Sequence, residues 1–367
     1  MSQRILVCCG AGGVGKTTTS AALALRFALD GKRVAVITID PARRLADALG
    51  IDTLTNAPQA VPIQELSPDC TGQLDAMMLD MKATFDSIIR RHSPNEEVQN
   101  KLLQSRYYRI VSEKLAGSQE FMAMERLYQL YTDGDYDIIV VDTPPAQNAV
   151  DFLKAPKRLA GVMSEGVVKW MSLPKDKVGF RFLERGSQTI MAVMKKLAGH
   201  QTVSEIAEFF SLISELAEGF RLRSMEMISL LESEQTAFVL ISAASPAAQA
   251  ESQRFLRVLR ENQLPFGGAI VNRVHAAPSN SKAIDLDDFP PRPKRVNAKL
   301  WASVCEGISK LPPLQATLAE GDARYCEALS DDAPVWTVPK LDIDIHNLKS
   351  LVEVSEFLKD AGEHLAP

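Results

Sequence analysis

The run Gly10-Ala11-Gly12-Gly13-Val14-Gly15-Lys16-Thr17 follows the apolar residues Ile5-Leu6-Val7-Cys8-Cys9 and opens a helical stretch from Thr18 to Leu29. It satisfies the G-x-x-x-x-G-K-[ST] spacing in the strand–loop–helix context that the motif requires. The constraint is severe, because a backbone that wraps a polyphosphate must aim successive N–H groups at oxygens. Side chains at such turns obstruct the approach, so glycine is needed there. The loop Gly10–Thr17 and Thr18 are expected to bind the nucleotide. Lys16 would reach the β- and γ-phosphates as a point charge, and Thr17 would place its hydroxyl on Mg²⁺. The dipole of the following helix faces the same anion.

Short β-rich apolar runs then alternate with helical patterns, which predicts a parallel sheet wrapped by helices. The strands are expected at Arg4–Cys9, Arg33–Ile39, Leu74–Leu79, Asp137–Val141, Ala237–Ser242, Gly268–Asn272 and Val335–Val338. Several are apolar at successive positions, as strands buried on both faces should be. Helical patterns interrupt the alternation from about Met81 to Tyr131 and again from about Phe152 to Glu232. In the second stretch Leu159, Met163, Val167 and Trp170 recur at helical spacing, as do Val203, Ile206, Phe210, Ile213, Ala217 and Phe220. The fold expected is α/β: a P-loop NTPase with a mostly parallel central sheet flanked by helices, plus an inserted helical subdomain. Its parts would be a core at 1–80, 132–151 and 233–367, a helical insertion at 81–131 and the helical subdomain at 152–232. The Pro-rich polar stretch 276–295 reads as a mobile loop, and Asn347 to His364 as an acidic amphipathic helix.

Composition narrows the function classes. A net charge of −5 over 367 residues argues against a nucleic-acid binder, and the basic patch Pro291-Arg292-Pro293-Lys294-Arg295 reads as a solvated loop. The five cysteines lack any C-x-x-C spacing and read as reduced thiols of a cytoplasmic protein. The five histidines form no H-E-x-x-H, and no zinc is expected. No apolar run approaches the roughly 18 residues of a membrane span, so membrane contact would fall to a membrane-protein partner.

Two strands end in carboxylates. Ligand groups in such sheets gather at the carboxyl ends of strands, so Asp40 and Asp142 should lie beside the phosphates. Asp142 is the carboxylate expected behind the Mg²⁺ held by Thr17, and Thr143-Pro144-Pro145 forms a rigid turn suited to a γ-phosphate switch. Asp40 could align the attacking water, which would make Asp40 and Lys16 the catalytic residues. Helix capping is the plainer alternative for both aspartates.

The loop Gly10–Thr17, the segment Asp40-Pro41-Ala42-Arg43-Arg44-Leu45-Ala46-Asp47 and Asp142-Thr143-Pro144-Pro145 together resemble the arsenite-pump and tail-anchored-protein-targeting ATPase family. Asp151-Phe152-Leu153, Ser245-Pro246, Val271-Asn272-Arg273 and Val338-Pro339 extend the resemblance over nearly the whole chain. It implies Mg²⁺-dependent ATP hydrolysis to ADP by a homodimer, or a heterodimer with a related chain. It also implies a water-orienting Asp40, a switch that includes Asp47, and base contacts from Asn272, Arg273 and the loop around Pro339. An asparagine that merely forms a turn is the alternative for Asn272.

Three positions depart from the family pattern. Ala11 stands where a second lysine is usual, removing a cation that could reach the partner's nucleotide, and Arg43 or Arg44 is the nearest substitute. Ala146-Gln147-Asn148 replaces the usual Thr-Gly-His, and the zinc-bridging C-x-x-C is missing. Met163, Met171, Met191, Met194, Met225 and Met227, with Phe180, Phe182, Phe209, Phe210 and Phe220, would give the helical subdomain an adaptable apolar surface or simply its core. The reading favoured is a nucleotide-driven switch that captures and releases a hydrophobic protein segment. An energising subunit for arsenite or anion efflux and a slow nucleotide-gated scaffold are the alternatives.

Overall fold

The computed structural model describes residues 3–40, 42–105, 118–143, 221–279, 281–331 and 333–366, with Tyr108, Phe209, Leu212, Leu216 and Gly219. Its strands are β1 (Arg4–Cys9), β2 (Arg33–Thr38), β3 (Gln59–Ala60), β4 (Gln73–Met78), β5 (Ile138–Asp142), β6 (Thr236–Ala243), β7 (Phe266–Val274) and β8 (Val335–Pro339). The helices are α1 (Lys16–Leu29), α2 (Arg44–Leu49), α3 (Met81–His92), α4 (Glu96–Gln104), α5 (Ser118–Asp133), α6 (Pro246–Glu261), α7 (Ala298–Ser309), α8 (Leu311–Ser330), α9 (Leu348–Glu356) and α10 (Lys359–Leu365). The strands form one sheet in the order β3-β4-β2-β5-β1-β6-β7-β8. All neighbours are parallel except β3, which runs antiparallel to β4.

Side chains of successive strand residues point to opposite faces, and each strand therefore feeds two cores. In β1, Ile5, Val7 and Cys9 join one apolar layer, which also takes in residues of α3, α5, α6 and α8. Leu6 and Cys8 join the other, filled by α1, α9 and α10. Continuous apolar runs are what two covered faces demand, and this is the P-loop NTPase arrangement expected of the sequence. The small residues Ala21, Ala22, Ala24 and Ala28 let α1 lie close on the sheet.

The seven expected strands are all present, with ends shifted by at most two residues, and the two-residue β3 was not foreseen. Between β4 and β5 the described residues form the helices α3, α4 and α5. The expected subdomain at 152–232 lies largely outside the described residues. Segment 221–232 is helical, and Phe209, Leu216, Met227, Leu230 and Leu231 are buried against α3 and α5. Arg223 makes two 3.1 Å hydrogen bonds to the buried Glu125 of α5, tying that segment to the first insertion. Of the methionines and phenylalanines expected to supply either an apolar surface or the subdomain's core, Met227 and Phe209 are core, Met225 is exposed, and the others lie outside the described residues.

The expected C-terminal helix is two helices. At Phe357 and Leu358 the hydrogen bonds tighten to Phe357 N–H to Val354 O and Leu358 N–H to Ser355 O, and the chain turns there. Leu351, Val354, Leu358, Ala361 and Leu365 remain buried in the same layer as α1 across the break.

Candidate functional site

The loop after β1 is built on glycines in left-handed backbone: Gly13 has φ 80° and Gly15, the N-cap of α1, has φ 88°. A Cβ at Gly10 would overlap the carbonyl oxygen of Ile241 in β6, and one at Gly15 would overlap the Asn272 side-chain amide. Packing thus demands the same glycines that phosphate approach does. Gly12 and Gly13 form the exposed rim, while Val14 is buried. Lys16 folds back so that its ammonium donates to the Gly10 carbonyl at 3.2 Å. Burial lowers its pKa, and the nearby Asp142 opposes that shift.

Asp142 is the last residue of β5 and is fully buried. Its Oδ2 accepts from Thr17 Oγ1 at 2.7 Å and from Thr38 Oγ1 at 2.9 Å. Its Oδ1 is equally buried and has no hydrogen-bond partner. Burial pushes the carboxyl up to about 6, although the Thr17 hydroxyl and the Lys16 charge pull it down. A buried acceptor left bare costs free energy until a donor or cation arrives. A magnesium ion carried in by nucleotide would meet that need, with Thr17 as direct ligand and Asp142 holding a coordinated water. Among the described residues no group of three His, Cys, Asp or Glu could hold an ion unaided. The geometry therefore fits an ion whose other ligands are phosphate and water.

Asp40 lies just past β2. Its Oδ1 accepts from the Ala42 N–H at 2.9 Å and its Oδ2 pairs with Arg44 at 3.2 Å. It does not cap α2, whose N-cap position is Arg43. The Asp40 N–H donates to Thr38 Oγ1 at 3.3 Å, so one hydroxyl contacts both acidic residues. Thr38 went unrecognised in the sequence; its place at the end of the strand before Asp40 was the available signal. Thr143 is buried, and both its hydroxyl and its N–H donate to the Cys8 carbonyl. Asp47 is exposed in α2, and Pro41, Pro144, Pro145 and Ala146–Asn148 lie outside the described residues.

Neither candidate for the missing cation is free. Arg44 is paired with Asp40, and Arg43 donates to the Asp52 carbonyl. Ala11 packs against the α1 layer. Asn272 instead braces the loop: its Nδ2 donates to the Val14 carbonyl at 2.8 Å and its Oδ1 accepts from the Arg273 N–H at 2.9 Å. Arg273 has φ 59°, and its guanidinium reaches the Gly13 carbonyl at 3.3 Å. The register shift between β7 and β8 falls at this point, with Val274 opposite Pro339. Thr18 is half-buried in the first turn of α1. Lys16, Thr17, Asp40, Asp142 and Asn272 thus gather at the carboxyl ends of parallel strands, where such sheets bind ligands.

A family model described as an anion-transporting ATPase matches residues 3–335. Among curated proteins, ATPase GET3 of Malassezia globosa is 26% identical over 282 residues, covering 77% of this chain and 76% of its own. ATPase ASNA1 homolog of Cryptosporidium parvum is 24% identical over 266 residues, covering 72% and 63%. An Aquifex aeolicus protein named as an arsenical pump-driving ATPase is 25% identical over 288 residues, covering 74% of this chain. The match spans only 63% of the length of these last two.

Proposed function

The chain belongs to the anion-transporting ATPase family, and from that premise we propose that it is a magnesium-dependent ATP hydrolase of the cytoplasm working as a dimeric switch. The observation that carries this reading is the bare, buried Oδ1 of Asp142 beside a Thr17 hydroxyl already bonded to the same carboxylate. Lys16 would leave the Gly10 carbonyl for phosphate oxygens, and Thr17 with Asp142 would hold the magnesium ion. Once bound, the ion would neutralise charge on the phosphates. Asp40 orients the attacking water, and positioning of that kind accounts for most catalysis in phosphoryl transfer. Asn272 and Arg273 hold the loop, and base contact by Pro339, which lies opposite Val274, rests on the family resemblance.

Thr38 gives the switch a route, because displacement of Asp142 on ion binding is felt at the Asp40 backbone through one shared hydroxyl. The work done is capture and release of a hydrophobic protein segment by the helical subdomain. Support comes from the resemblance of the chain's motifs to the tail-anchored-protein-targeting ATPases and from the join between α5 and segment 221–232 through Glu125 and Arg223. An arsenite-binding role draws no support from the cysteines. Cys8 and Cys9 are buried in opposite layers, and burial pushes both thiols up to about 12.

Steady-state phosphate release tests the catalytic part. Wild type should turn over MgATP, and Asp40→Asn should lose at least about tenfold in kcat while its MgATP affinity changes little. Equal turnover would remove Asp40 from catalysis. Binding of a nonpolar dye or apolar peptide should differ between ADP and a non-hydrolysable ATP analogue, and identical binding would count against the client.

A further inference from the structure

The end of the sheet opposite the nucleotide site carries a cleft of about 680 Å³, within the size range of small-molecule sites. It lies at the amino ends of the parallel strands. Arg33 and Gln73 begin β2 and β4, Tyr136 stands two residues before β5, and α3 and α5 contribute Arg91 and Arg126.

Most charges of the cleft cancel in pairs. Arg33 pairs with Asp135 and, at 3.1 Å, with Asp137, and Arg91 pairs with Asp133 at 2.6 Å. Arg126 is different. Its guanidinium donates to two neutral acceptors, the Asn56 carbonyl at 2.8 Å and Gln129 Oε1 at 3.2 Å, and its buried Nε has no hydrogen-bond partner. Among the described residues no carboxylate pairs with it. Gln129 is itself fixed, because its Nε2 donates to Ser87 at 3.0 Å and to Glu125 at 2.9 Å. A half-buried cation is thus held in place by groups that bring no opposite charge. Burial lowers its pKa against the pull of Tyr136 and Asp133.

Asp75 is the counterpart. Its Oδ2 accepts from the Tyr136 hydroxyl at 2.8 Å, and among the described residues no cation pairs with it. The Arg126 guanidinium touches the Met77 sulfur at 4.0 Å, and Asp75 lies two residues before Met77 in β4, on the same face of the sheet. That step is about 7 Å, so the two unpaired charges are neighbours in one cleft. We propose that the cleft binds a small zwitterion of the α-amino-acid class, its carboxylate on Arg126 and its ammonium on Asp75. A carboxylate offers the planar fork two oxygens, and an ammonium supplies donors to the acceptor sites that Tyr136 leaves open on Asp75. With a hydrogen bond of about 2.9 Å at either end, charges carried around one carbon bridge a gap of that order. A phosphate or nucleotide would instead face Asp75, Asp133 and Asp135 in the same walls and be repelled.

The test is thermal unfolding of the full chain with the standard amino acids added singly in large excess. At least one should raise the midpoint saturably, by about 3 °C or more at a hundredfold excess over its dissociation constant. For that amino acid, Arg126→Gln and Asp75→Asn should each weaken binding at least about tenfold. Both variants should keep wild-type affinity for MgATP, which reports that they are folded, and Asp75→Asn decides alone if Arg126→Gln does not fold. Trimethylglycine, a zwitterion with no N–H to give Asp75, should produce no such shift, and neither should acetate or inorganic phosphate. A midpoint unmoved by every amino acid would overturn the proposal and leave Arg126 as a brace for the Asn56 carbonyl. A shift that survives Arg126→Gln or Asp75→Asn, or one matched by trimethylglycine, acetate or phosphate, would overturn it equally.

Discussion

The hydroxyl of Thr38 donates to Asp142 Oδ2 at 2.9 Å while accepting from the Asp40 N–H at 3.3 Å. The Asp142 carboxylate and the Asp40 backbone, separated by about a hundred residues of chain, are thereby joined through one oxygen, because β2 and β5 are parallel neighbours with Thr38 opposite Asp142.

Burial of Asp142 makes the site sensitive to pH. The folded pKa of Asp142, about 6, lies above that of an unperturbed aspartate. Between about pH 4 and 6 the folded protein keeps a proton that the unfolded chain has released, so stability without nucleotide falls as pH rises through that window. At neutral pH the ionised carboxylate costs on the order of 3 kcal/mol. Binding of the magnesium complex needs the anion, and MgATP affinity should rise with pH by up to about tenfold per unit until about 6, then level off. Thr38→Val removes a donor to the anion and should move the midpoint upward. Calorimetry from pH 5 to 8 checks both, and a flat affinity in wild type would refute the assignment.

Asn272→Ala should destabilise the P-loop, because the Val14 carbonyl loses its side-chain donor. The expected cost is about 1–2 kcal/mol in denaturant unfolding, with ATP and GTP affinities reduced by equal factors. A base-reading Asn272 would instead lose its preference between the two nucleotides, so the ratio separates bracing from recognition.

Much of this was legible in the chain because it is local or periodic. The P-loop announces itself by glycine spacing, and the strands ending at Asp142 and just before Asp40 are apolar runs that a doubly covered sheet requires. The Asn272 brace was hidden because its Nδ2 bonds Val14 across 258 residues, and only the strand order brings them together. β3 escaped because two residues, Gln59-Ala60, have no period to detect. The C-terminal break at Phe357 escaped for the opposite reason, since the apolar period runs through it without a glycine or proline to mark the turn.

The join between the helical insertions is a second stability determinant. Glu125 is fully buried, and besides Arg223 it is bonded by Gln129 at 2.9 Å. Arg223→Ala would strand that carboxylate and should cost about 3–5 kcal/mol. The double change Glu125→Leu with Arg223→Met should cost much less, because no charge is left buried. Urea unfolding of the three proteins decides it; equal losses in both variants would show that packing, not the unpaired charge, sets the cost.

Lys16 offers the most direct examination of the nucleotide site, since its ammonium rests on the Gly10 carbonyl, at the loop where phosphate would sit. Isothermal calorimetry with MgATP should show saturable binding by wild type and a loss of at least about 100-fold, near 2.7 kcal/mol, for Lys16→Ala. Indistinguishable affinities for the two proteins, or no binding by wild type at neutral pH, would contradict the account.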